Sequence, residues 1–242
     1  MEYLKIRRTK NQVRADGSRF AVPILVTKTK KYGKVTSEQV ISKKKPILIT
    51  GAHDAGKTRW VTRLHERADE IWGAKIKADP VFLDTLSPLS AWCDTPAVNA
   101  WWTEEQNKLP PDERLPWKKL KQHERTDALA GYCKAKQPVL FIDDAHKLAG
   151  RKLQIARQCA MATRLTVVAA SEEQRLPPNL RPVLMRRDPQ IFRLDSEVAY
   201  DATHILMWIL LVTCLAIGWW EAAFVIGGLK ALGTGRRAAR AD

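Results

Sequence analysis

Eight residues constrain this chain more than any others: Gly51-Ala52-His53-Asp54-Ala55-Gly56-Lys57-Thr58, two glycines five positions apart and then a lysine and a hydroxyl residue. Glycine at both ends allows the tight turn that aims backbone N–H groups inward, where phosphate oxygens can be held. Pro46-Ile47-Leu48-Ile49-Thr50 precedes the run as a continuous apolar stretch, the pattern of a parallel strand buried on both faces. Lys57 to about Trp72 follows, with Trp60, Val61, Leu64 and Ile71 on one broad side of a helix. Strand, glycine turn and helix in that order present the positive end of the helix to an anion. All eight residues are therefore candidate nucleotide contacts, with Lys57 reaching the β and γ phosphates and Thr58 holding Mg²⁺.

A second stretch completes the pattern. Val139-Leu140-Phe141-Ile142-Asp143-Asp144 reads as a buried strand ending in two carboxylates. In a parallel sheet, groups at the C-terminal ends of neighbouring strands converge on one crevice. Asp143 is thus expected beside the Mg²⁺ held by Thr58, through water, and Asp144 where it can orient or activate an attacking water. Further strands are expected at 81–83, 165–170 and 191–194, with helices over 126–136 and 148–161 and an irregular stretch at 86–126. The alternation predicts an α/β fold, a parallel sheet wrapped by helices.

Gly51 to Thr58 resembles a Walker A motif and Val139 to Asp144 a Walker B motif, and residues 46–195 resemble the AAA+ branch of the P-loop ATPases. The resemblance implies ATP and Mg²⁺ as cofactors, a homo-oligomer, and a polar sensor at the end of the next strand, where Ser171 stands. It also implies an arginine before the last core strand that completes a neighbour's site. Arg181, Arg186 and Arg187 precede 191–194, and Arg186 and Arg187 are the candidates. The chain departs from the family in carrying Asp144 where glutamate is usual, and in having little sequence for a helical lid. Aspartate is one methylene shorter, which suits slow turnover or switching.

Charge divides the chain. The net charge is +15, and residues 1–45 hold thirteen Lys/Arg against Glu2, Asp16 and Glu38, a local excess of ten. A basic arm suits nucleic acid or an acidic membrane face, and equally a merely solvated segment. Within it, 20–27 and 35–41 read as two strands of a hairpin, with Pro23 confining the first to an edge or a bulge. Cys93, Cys133, Cys159 and Cys214 lack metal or redox spacing and read as reduced thiols facing the cytosol, and the N-terminus has no apolar signal region. His146 could contact nucleotide or cap a turn, with the turn favoured. Trp92, Trp101, Trp102 and Trp117 could stack on bases, with packing favoured.

Ile205 to Trp220 contains no charge. As a helix it would reach about 24 Å, and about 37 Å if continued through Glu221 to Leu229, against a hydrocarbon core of roughly 30 Å. A tail anchor, a re-entrant hairpin bent at Gly218–Glu221 and a soluble oligomerisation helix all fit. Acids before the segment and Arg236, Arg237 and Arg240 after it set the single anchor against the positive-inside tendency. The expected organisation is a basic arm at 1–45, a nucleotide domain at 46–195, a linker at 196–203, an apolar membrane-associated segment at 204–229 and a basic tail at 230–242. Two functions follow as expectations. One is a membrane-associated ATPase facing the cytosol that moves or assembles DNA or protein, with a layout similar to phage assembly ATPases of the Zot type. The other is a DNA-binding AAA+ regulator of the transposition type. A small-molecule kinase is disfavoured, since no acceptor-pocket signature is present.

Overall fold

The computed structural model describes residues 3–8, 12–13, 19–20, 23–28, 35–52, 55–73 and 76–194, with 209–210, 212–214 and 216–219 of the C-terminal segment. Contacts divide the chain into two units, Met1–Ser196 and Glu197–Asp242.

The first unit opens with β1 (Tyr3–Arg8), β2 (Gln12–Val13), β3 (Arg19–Phe20), β4 (Pro23–Lys28) and β5 (Val35–Val40). The expected hairpin is present as β4 and β5, but β1 joins it to make an antiparallel sheet of order β1-β4-β5. β4 is therefore central and not an edge. Pro23 is tolerated because it is the first residue of the strand, paired with Arg8, where a missing N–H removes only a terminal ladder bond. The arm does not stop at residue 45 as a separate body. Ile41 is buried in the core, and the Gln190 side chain accepts from Ser42 N (2.9 Å) and donates to Val40 O (2.9 Å).

The core is a five-stranded sheet built from β6 (Ile47–Gly51), β7 (Val81–Asp84), β8 (Leu140–Asp143), β9 (Thr166–Ala170) and β10 (Gln190–Leu194). All four pairings are parallel, and the order is β10-β6-β9-β8-β7. This is the expected α/β fold with a parallel sheet. Alternate residues feed two apolar cores. Ile47, Ile49, Phe141, Val167 and Ala169 meet Trp60, Val61, Leu64 and Trp72 of α1 (Lys57–Glu66) and α2 (Ala68–Trp72) on one face. Leu48, Leu140, Ile142, Val168 and Ala170 face the other core. It is covered by α3 (Leu89–Cys93), α4 (Pro96–Asn107), α5 (Gln122–Lys136), α6 (Gly150–Ala162) and α7 (Arg181–Met185). Burial on both faces is why these strands read as unbroken apolar runs.

Two expectations need correction, whereas the favoured packing of the tryptophans is what the structure has. The helix over 57–72 is two helices, because Arg67 leaves helical geometry at φ −110°, ψ 18°. The stretch 86–126 is not irregular. Pro96 starts α4, where its missing N–H costs nothing, and Glu124 accepts from Lys121 N (2.6 Å) to start α5 four residues early. The four tryptophans of this stretch pack. Trp92 is buried and donates to Asp84 O (2.7 Å), while Trp101, Trp102 and Trp117 stand edge to face in a row.

In the second unit, Thr213 Oγ1 donates to Ile209 O (2.7 Å) and Ile217 N to Thr213 O (3.1 Å), so this stretch is helical. Gly218 then turns left-handed (φ 81°), and Trp219 N reaches back to Cys214 O (2.9 Å), the geometry of a helix C-terminus. A straight helix through to Leu229 is thereby interrupted. Among the described residues no helix is long and apolar enough to cross a membrane. The rest of 204–229 and the basic tail lie outside the described residues.

Candidate nucleotide site

The C-terminal ends of β6, β9 and β8 form one rim, and above it lies a cavity of about 950 Å³. Strand order explains the geometry, with a difference from expectation. β6 and β8 are not neighbours, since β9 runs between them, so Ser171 sits between the glycine loop and the two acids.

Gly51 ends β6 against β10. A Cβ there would stand 2.7 Å from Leu194 O and 2.9 Å from Leu194 Cβ, so the close approach of the two strand ends requires glycine. Gly56 is the N-cap of α1 at φ 83°, ψ 20°, a conformation that favours glycine, and it turns the loop into the helix. His53 and Asp54 lie outside the described residues. Ala52, Gly56, Lys57 and Thr58 line the cavity, and Ala55 is buried beneath. Lys57 is itself buried, and its Nζ donates to Gly51 O (2.9 Å) and Ala52 O (2.7 Å). A phosphate entering the loop would offer that ammonium stronger, charged acceptors.

Asp143 ends β8 with only 4% of its surface exposed. Burial pushes its carboxyl above the usual range, while hydrogen bonds from the Thr58 hydroxyl and from Asp144 N (2.9 Å) act in the opposite sense. The structure thus brings Thr58 and Asp143 into direct contact although 85 positions separate them. A hydroxyl on the cavity wall and the buried carboxylate it touches form an all-oxygen donor set of the kind Mg²⁺ takes, with water and phosphate supplying the remainder. The donor set fits the metal, and it leaves Asp143 with an uncomfortable buried charge that a divalent cation would relieve.

Ser171 joins the two halves. Its carbonyl accepts from Gly51 N (3.1 Å), and its N–H donates to His146 Nδ1 (3.4 Å). Its hydroxyl is buried and has no hydrogen-bond partner among the described residues. An unpartnered hydroxyl on the wall of this cavity is the position a sensor of terminal phosphate would occupy. His146 lines the same cavity, and burial lowers its pKa below the ordinary histidine value, favouring the neutral ring. It sits in the short turn Ala145–Lys147, so the turn and the cavity wall are the same feature.

Asp144 adopts φ 51°, ψ 40°, and its carboxylate accepts from Lys147 Nζ at 2.6 Å. Sequence reasoning missed Lys147; Arg175 also lines the cavity and pairs with Glu172 at 3.4 Å. The only sequence signal for Lys147 is its spacing of three from Asp144, which carries meaning once a turn is known to be there.

The structure does not bring the two candidate arginines to this rim. Arg187 Nη1 donates to Thr163 O (2.6 Å) and Nη2 to Met161 O (3.2 Å), at the end of α6 just before β9 begins, the end of the strands opposite this rim. Arg186 is the exposed C-cap of α7 just before it.

Comparison with family models and with curated proteins finds no match. Among solved structures, the chain is similar to Cdc6p from Pyrobaculum aerophilum, with 18% identity over 62% of this chain and 38% of that one (TM-score 0.36). It is similar to the Orc1 protein of Aeropyrum pernix in complex with DNA, with 16% identity over 62% and 39% (TM-score 0.32). A putative ABC transporter ATP-binding protein from Pyrococcus furiosus matches at 13% identity over 83% and 94% (TM-score 0.30). The chain spans less than half the length of the first two.

Proposed function

We propose that this chain binds Mg²⁺·ATP in the cavity above β6, β9 and β8 and hydrolyses it. The observation that carries the proposal is that Lys57, Thr58 and Ser171, its hydroxyl unpartnered among the described residues, line one cavity, with the buried Asp143 in hydrogen-bond contact with Thr58 behind that wall. The loop amides and the N-terminus of α1 receive the β phosphate, and Lys57 leaves the loop carbonyls for the β and γ oxygens. Thr58 and Asp143 hold the metal, which when bound neutralises charge developing on the phosphates. Ser171 reads the γ phosphate, and Asp144 accepts the proton of the attacking water. Arg186 is exposed and does not line this cavity, and in a homo-oligomer it would be free to complete the site of another copy.

We assign the nucleotide cycle to driving or controlling the transport or assembly of DNA or protein in a mobile-element, phage or conjugation-like system, at a membrane face. Ile209, Val212, Ile217 and Trp219 are all more than half exposed within their unit, and such a patch needs lipid or a partner to cover it. A DNA-binding regulator that oligomerises with ATP is favoured instead by the ten-charge excess of residues 1–45, folded here as a small sheet. ATP turnover with and without DNA, alongside vesicle flotation, separates the two. Flotation with turnover indifferent to DNA supports the membrane role. DNA-stimulated turnover without flotation supports the regulator.

A further inference from the structure

Lys147 stands in the nucleotide cavity yet has no part in the chemistry above. Its position follows from the backbone. Asp144 turns left-handed, Lys147 N donates to Asp144 O (2.8 Å), and the short turn so closed brings the ammonium to 2.6 Å from the Asp144 carboxylate. The hydrogen bond to Asp144 raises the Lys147 pKa, and the charges of Asp143 and of Asp84 at the end of β7 act in the same sense. The two partners differ in freedom. The Asp144 side chain is 17% exposed and held by its turn, whereas that of Lys147 is 42% exposed and can retreat to water on a flexible stem.

Two consequences follow. The ammonium neutralises the Asp144 carboxylate and holds its Oδ2, so an attacking water is left only Oδ1 and meets a paired rather than a free anion. A divalent cation arriving at Thr58 and Asp143 enters the field that the ammonium already fills, and like charges at that range repel.

We propose that Lys147 is an internal counter-ion that withholds Asp144 in the nucleotide-free protein and releases it when Mg²⁺ and nucleotide enter. The proposal rests on the nucleotide-site assignment above. It makes hydrolysis conditional on a loaded site, with the shorter acid Asp144 kept in place by its lysine until then.

The test compares the wild type with Lys147→Met, which keeps length and loses charge, and Lys147→Arg, which keeps charge. Free Mn²⁺ is followed by electron paramagnetic resonance in titrations of the nucleotide-free protein, and nucleotide affinity by fluorescent mant-ADP. The methionine variant is expected to bind Mn²⁺ roughly three- to tenfold more tightly, from the loss of one nearby cation screened by solvent. Its ATP turnover should exceed that of the wild type at limiting Mg²⁺ and match it at saturating Mg²⁺, where both proteins have released Asp144, at unchanged mant-ADP affinity, and the arginine variant should match the wild type in all three. Equal Mn²⁺ affinity in the three proteins, or no Mn²⁺ binding by any of them, overturns the proposal. A fall in turnover with methionine also overturns it and makes Lys147 a phosphate ligand. Failure of the wild type to bind nucleotide would instead sink the functional assignment, and the Mn²⁺ comparison would still decide the role of Lys147.

Discussion

Asp143 shows how a single residue can be costly to the fold and useful to the site. Its carboxyl is held above the usual carboxylate range by burial, so the folded protein holds this proton more tightly than the unfolded chain does. The sign follows directly. With the folded value raised, the group favours the folded state at acid pH, and that contribution is lost as pH rises from the unfolded carboxylate value through the folded one. Asp143→Asn removes the buried charge at little change of shape. In metal-free buffer at pH 8 its denaturant midpoint should equal or exceed that of the wild type, and the wild type alone should lose stability across that pH window. With Mg²⁺ and ATP the order should reverse, because ligand stabilises only the protein that can hold the metal. A variant less stable than wild type in metal-free buffer at pH 8 would show that the buried charge is not a burden.

At the scale of elements, the same arginine pair illustrates what sequence spacing can and cannot decide. Arg187 ties the end of α7 to Thr163 O and Met161 O, so Arg187→Ala should cost about 1–2 kcal/mol in stability and leave mant-ADP affinity unchanged. A loss of ATP turnover without a loss of stability would return Arg187 to the catalytic role. The strands were legible because β6, β8 and β9 are buried on both faces and must be apolar throughout. The glycine loop was legible because Gly51 and Gly56 occupy positions where a side chain meets a neighbouring strand or the wrong backbone hand. α4 was hidden because Val98 is its only fully buried residue, leaving no apolar stripe to mark it. The link between Ser171 and both halves of the site was hidden for another reason. It depends on β9 lying between β6 and β8, an order that local pattern does not encode. Lys147 was invisible because its role arises from a left-handed turn at Asp144, a conformation that aspartate only permits.

For the molecule as a whole, charge and connectivity set the expectations. The ten-charge excess of residues 1–45 predicts nucleic-acid binding that weakens steeply with salt, in a chain carrying +15 overall. Deleting residues 1–34 should abolish that binding in an electrophoretic shift assay, and weak salt dependence or full binding after deletion would contradict it. The cut belongs at 34 and not at 45, because Ile41 is part of the core and Ser42 is bonded to Gln190 at the start of β10. The exposed apolar helix that ends at Gly218 belongs to a separate unit, so a truncation at 196 should leave the nucleotide site intact.

The functional assignment depends on the glycine loop holding nucleotide through Lys57, with Thr58 and Asp143 holding the metal. The direct test is mant-ATP titration of the wild type with Mg²⁺ and with EDTA, beside Lys57→Ala. The account predicts saturable binding that weakens in EDTA and falls at least about tenfold in the variant, as loss of a charged phosphate contact should cause. Equal affinity in wild type and variant, or no binding by the wild type, would contradict it.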